Sequence, residues 1–231
     1  VSQDKNSAVL KRTIDETVYF VMLRWQGAAK LKQKGKNFYQ LQSKSADLKL
    51  TCEYAEQISS ESKTFAEVAD AAKVYWNRYW QKGAMVDFGQ CKDPRAQEME
   101  RRVVLSQYLL AIQDAGETPP QETGLTYNSW FGKFHLEMIL WHQAQFALWG
   151  HPELLERSLS WYFKAEPNAR KIARRQGFKG VRWMKMTDPD AGEAPSSVGS
   201  FLIWQQPHLI YLAELLYRAD PSPAILQKYA K

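Results

Sequence analysis

The chain has 231 residues, 45% of them hydrophobic, and a formal net charge of +6. That is enough for one large domain or two small ones, with the apolar content of an ordinary globular protein. No apolar run reaches the ~18 residues of a membrane span, no signal peptide is visible, and the positive charge carries no nucleic-acid recognition motif.

Two basic clusters stand out, Lys30–Lys36 and Arg170–Arg175. The first reads as a hairpin edge and the second as a solvated helix face. Cys52 and Cys91 have neither CxxC nor Cys/His metal spacing, and sequence alone does not pair them. No metal or cofactor is expected. The chain begins at Val1, not Met, which suggests a processed protein or a piece of a longer one.

In chain order, residues 1–57 read as strands. Thr17 to Trp25 is rich in β-branched and aromatic residues, Phe38 to Leu41 is a second run, and Leu48 to Tyr54 alternates apolar with polar. Gly27 and the segment from Lys34 to Asn37 supply turns. A three-strand sheet is marginal alone, so further strands or a helical cover are expected.

Residues 58–63 read as a polar joint, and after it the period changes from two to 3.6. Thr64 with Glu67 forms a capping box, and a stripe from Phe65 to Tyr79 predicts a helix ending near Gly83. A second helix is predicted from Asp93-Pro94 to about Gly116. After Pro119-Pro120 and a polar loop, a buried helix is predicted from about Lys133 to Trp149, because the run is apolar on nearly every side. Two more helices follow, Pro152 to Ala165 and Pro167 to Gln176, the latter stopped by Gly177. Residues 178–201 form a long connection of the kind that is usually functional or disordered. Leu202 to Arg218 predicts another buried helix, with Pro207 confined to its first turn, and a last helix opens at Ser222-Pro223. The fold expected is mainly α, a two-layer helical toroid after an N-terminal β portion, divided as 1–57 and 58–231.

Glu137 is the residue that most needs explaining, since an ionised carboxylate on a buried helix is costly unless paired or put to use. A structural Lys133–Glu137 pair one helical turn apart, with His135 and His142 buried and hydrogen-bonded, is one reading. Those two histidines are seven residues apart, roughly 10 Å along a helix, too far to share an ion. There is no HExxH, no GxSxG elbow and no Gly-rich phosphate loop. What remains is a polar and aromatic set at the starts of the two buried helices and on the long loop. It comprises Asn128, Trp130, Lys133, His135 and Glu137, then Trp183, Lys185 and Glu193, then Trp204, Gln205, Gln206 and His208. Each alone reads as structural, and Trp141, Trp149 and Trp161 read as core. Together they suit sugar hydroxyls and ring faces, and carboxylates are the usual acid/base pair of glycoside hydrolysis.

Four stretches carry a resemblance: GLTYNSWFGKFHLEM (124–138), the run 150–183, DAGEAP (190–195) and FLIWQQPHLIYLAELLYR (201–218). They resemble the helical catalytic domain of glycoside hydrolases of families 65 and 95, a clan built on an (α/α)6 barrel. The resemblance implies a glycosidase of inverting mechanism acting on an oligosaccharide or polysaccharide. Its implied catalytic residues are Glu137, at the sugar of the cleavage site, and Glu193 as second carboxylate. Implied substrate contacts are stacking by Trp130, Trp183 and Trp204, and polar contacts from Asn128, Lys133, His135, Lys185, Gln205, Gln206 and His208. The family 95 asparagines at the helix start have no counterpart here, where Glu137 and Ile139 stand instead. By the same resemblance, residues 1–57 are the end of a β-sandwich, the barrel is partial, the general acid lies beyond Lys231 in the remainder of a longer chain, and the address is periplasmic or secreted. A glycoside phosphorylase, or a non-catalytic carbohydrate-binding protein on the same fold, are the alternatives. A helical scaffold for protein partners is the reading from outside that class.

Overall fold

The computed structural model describes residues 1–59, 63–125, 127, 129–199 and 201–230. It divides into two units, Val1–Gln81 and Lys82–Lys231.

In the first unit, period-two sequences become antiparallel strands: β1 (Ser2–Gln3), β2 (Ser7–Ile14), β3 (Thr17–Gln26), β4 (Ala29–Gly35), β5 (Phe38–Ser43) and β6 (Lys49–Ala55). One sheet has the order β1-β2-β3-β6, and β4–β5 form a separate hairpin. The β2–β3 turn closes on two residues, with Ile14 opposite Thr17 and Asp15 at φ 51°, a left-handed conformation that Asp tolerates. One face of β2 and β3 (Ala8, Leu10, Val21, Trp25) buries against Leu31 of β4, with Tyr39 and Leu41 of β5 packed alongside. So β2 and the β4–β5 pairing supply the extra strands that the three predicted runs lacked. Helix α1 (Phe65–Lys82) opens on the expected box. The Thr64 N–H donates to Glu67 Oε2 at 2.7 Å, and the Glu67 N–H donates to Thr64 Oγ1 at 3.3 Å.

The second unit holds α2 (Ala96–Asp114), β7 (Phe134–His135), α3 (Ile139–Leu148), α4 (Pro152–Arg175), β8 (Met186–Thr187), α5 (His208–Ala219) and α6 (Pro223–Tyr229). Helices α3, α4 and α5 pack on one another. Ile139, Phe146, Leu155, Leu159 and Leu212 are fully buried in this unit, as is Leu136 just before α3. No helix among the described residues is long and apolar enough to cross a membrane.

The (α/α)6 toroid preceded by the end of a β-sandwich is not what forms. Among the described residues there are six α-helices, a four-stranded antiparallel sheet and two two-stranded sheets. Three departures explain the difference. Residues 133–138 are not the first turns of a helix: Gly132 adopts φ 68°, Lys133 is extended, and β7 pairs with β8. Residues 201–207 form turns, and the helix begins only at His208, with Pro207 at its cap. The two helices predicted on either side of Pro167 are one continuous α4. An internal proline costs about 3 kcal/mol, and burial of ten α4 side chains between Leu154 and Ala173 outweighs it.

Candidate functional site

A small antiparallel ladder in the second unit assembles the site. Phe134 pairs with Thr187 and His135 with Met186, Gln121 bridges to Phe134, and Thr187 bridges to Glu193. One step further along, the Glu137 N–H donates to the Lys185 carbonyl at 3.3 Å. The backbone therefore sets Glu137 beside Lys185, and their side chains meet at 3.0 Å. Lys133 is not the partner of Glu137. With residues 133–137 extended and turning instead of helical, the one-turn spacing is lost, and Lys133 Nζ donates to the Pro195 carbonyl at 2.9 Å.

The ion pair is partly covered, with 20% of the Glu137 side chain and 12% of the Lys185 side chain accessible. Above it stands Trp130, half exposed, with Lys185 Nζ 5.1 Å from its ring centroid. That is a cation–π distance. Trp130 and Phe131 both adopt left-handed backbone, at φ 51° and 62°. For bulky residues this conformation is disfavoured, and such outliers gather at functional sites. On the other side, His208 Nδ1 donates to the Leu136 carbonyl at 3.1 Å, and the exposed Trp204 packs edge-on against the His208 ring at 4.7 Å between centroids.

Burial keeps the nearby imidazoles neutral. His135 is pushed down to about 4, mainly by burial and further by Lys185 and His142, with Glu137 opposing. Burial lowers His208 as well, against its bond to Leu136 and the charge of Glu137. His142 is lowered by burial, and its Nε2 donates to the Glu122 carbonyl at 3.0 Å. His135 Nε2 lies 3.8 Å from the Glu122 carboxylate, too long for a hydrogen bond, and its Nδ1 has no hydrogen-bond partner among the described residues.

The remaining predicted site residues lie elsewhere or serve the fold. Trp183 is buried, meeting Tyr162 edge-on at 4.7 Å, so it offers no stacking surface. Gln205 and Gln206 hold it there. Gln206 Oε1 accepts from the Trp183 N–H at 2.9 Å, and Gln205 Nε2 donates to the Trp183 carbonyl at 3.1 Å. Glu193 is bound by Arg175 of α4. The expected functional loop is likewise tied to α4, through Trp161 Nε1 on the Pro189 carbonyl and Asn168 Nδ2 on that of Asp190. Trp161 is core, as its spacing predicts, whereas Trp141 is 61% exposed. Asn128 lies outside the described residues. Glu137, Lys185, Trp130, His135, His208 and Trp204 are thus the members that come together.

One residue escapes sequence reasoning. Asp114, the last residue of α2, is buried, and its Oδ1 has no hydrogen-bond partner among the described residues. Burial pushes its carboxyl up to about 7. It lines a cleft of about 610 Å3 together with Gln121 and Phe134. The available signal is an acid at a helix C-terminus with no basic residue in the last turn, where the helix dipole disfavours negative charge.

Among the described residues, no group of His, Cys, Asp and Glu is placed to hold a metal ion. Compared with known proteins, the chain matches no family model, no curated protein and no solved structure.

Proposed function

We propose that the Lys82–Lys231 unit is a glycoside hydrolase whose sugar contacts centre on Glu137. The observation that carries this reading is the partly exposed Glu137–Lys185 pair lying under the indole of Trp130. A carboxylate and an ammonium accept from and donate to hydroxyl groups, while an indole face covers the apolar side of a sugar ring. Trp204, against His208 on the other side, extends the aromatic wall.

Hydrolysis with inversion needs one carboxylate to take a proton from the attacking water and one carboxylic acid to protonate the leaving oxygen. Glu137 is the carboxylate in this scheme. Glu193 is ill-suited to be the acid, because Arg175 engages it.

The engagement of Glu193 also favours a second reading, a carbohydrate-binding unit without turnover. Reducing-sugar release from a panel of α- and β-linked glycans, measured for the native chain and for Glu137→Gln, separates the two. The hydrolase reading requires turnover that Glu137→Gln abolishes while binding survives. Binding without turnover in the native chain leaves the second reading.

A further inference from the structure

The β4–β5 hairpin of the first unit carries charge that the carbohydrate site does not use. From Ala29 to Lys44 the chain has five lysines and no acidic residue. Strand alternation sorts them. Ala29 and Leu31 on β4, with Tyr39 and Leu41 on β5, face the core. Lys30 and Lys32 therefore face outward, opposite Gln42 and Gln40 in register and about 7 Å apart along the strand. Lys5, Lys30, Lys32 and Lys44 line one cleft of about 720 Å3, in which Asp4 is the single carboxylate among the described residues. All four lysines are exposed, and none has an ion-pair partner among the described residues.

A solvated lysine face that merely blocks strand pairing needs charge along a sheet edge. It does not need four lysines lining one concave surface, where their like charges build a positive potential that attracts anions. The polar groups between the lysines narrow the ligand. Gln3, Asn6, Gln42 and Ser43 line the same cleft and match hydroxyl groups. Among the described residues no aromatic lines it, so it lacks the successive stacking platforms that single-stranded nucleic acid uses.

We propose that this cleft binds an anionic polysaccharide, with Lys5, Lys30, Lys32 and Lys44 on its carboxylate or sulfate groups and the amides on its hydroxyls. The proposal is independent of the reaction assigned to Glu137. The test measures binding of the full chain to polygalacturonate and dextran sulfate, with neutral dextran and oligo-dT for comparison, at low and at high salt. The expected result is binding to an acidic polysaccharide at least tenfold tighter than to dextran or oligo-dT, weakening as salt screens the charges. The triple variant Lys30→Gln/Lys32→Gln/Lys44→Gln is expected to lose at least tenfold. The single exposed reversal Lys32→Glu, with an unchanged melting curve, is expected to lose at least threefold. Native-like affinity in both variants overturns the proposal, as does no binding to either polyanion. Oligo-dT binding as tight as the polysaccharides also overturns it, in favour of a nucleic-acid partner.

Discussion

Lys185 Nζ lies 3.0 Å from the Glu137 carboxylate and 5.1 Å from the centroid of the Trp130 ring. One ammonium thus joins a carboxylate, an indole and, through the Glu137 N–H on its own carbonyl, the β7–β8 ladder. Replacing it removes all but the backbone bond. Lys185→Met is predicted to destabilise the chain by about 1–3 kcal/mol, because it strands a partly buried carboxylate and frees Trp130. Chemical denaturation measures the loss, and Trp130 fluorescence is expected to shift toward that of a solvated indole.

Asp114 gives a stability profile of definite sign. Its folded carboxyl sits at about 7, above the ordinary carboxylate value of 3.8. Between those values the folded state holds a proton that the unfolded state has released. Stability is therefore predicted to fall as pH rises from about 4 to 7, then to level off. Asp114→Asn removes that slope and is expected to raise stability above pH 7, by an amount on the order of a few kcal/mol at most. Melting temperatures of both proteins across pH 4–9 check it.

The histidines push the other way. His135 falls to about 4, and His142, His151 and His208 are lowered, burial being the first cause in each. The unfolded state takes up protons near the ordinary 6.5, so these groups contribute stability that is lost as pH drops from about 6.5 toward 4. His135→Gln is predicted to shrink this acid sensitivity. The change is read as a smaller drop in urea midpoint between pH 7 and pH 4.5.

Gln206 offers a structural control. Its amide accepts from the Trp183 N–H and donates to the Trp183 carbonyl. Gln206→Ala leaves both backbone groups without that partner and is predicted to cost about 1–3 kcal/mol. Binding per remaining folded molecule is expected to stay unchanged, since this side chain supports Trp183 and does not face a ligand.

What the sequence disclosed follows from how local each signal is. Thr64 and Glu67 specify their cap within four residues, and the box forms. The Thr17–Trp25 run specifies β3 through side-chain type and period. The pairing of Glu137 with Lys185 is different. It spans a long stretch of chain and depends on a two-residue ladder too short to leave a pattern. An apolar run such as 133–142 has the same composition whether it is helix or ladder plus turn, and Gly132 with its left-handed φ decides between them. Pro167 misled in the opposite direction, because its local cost is visible in sequence while the burial that offsets it is tertiary. For the same reason Trp183, Gln205 and Gln206 read as a sugar wall by type yet serve as an internal brace.

The most direct test of the central claim is the rate of glycosidic bond cleavage by the native chain and by Glu137→Gln, on a substrate both are shown to bind. Measurable cleavage is expected in the native chain, with a loss of at least a hundredfold in kcat and little change in affinity for the variant. Equal rates in the two proteins, or bound substrate that the native chain never cleaves, contradict it.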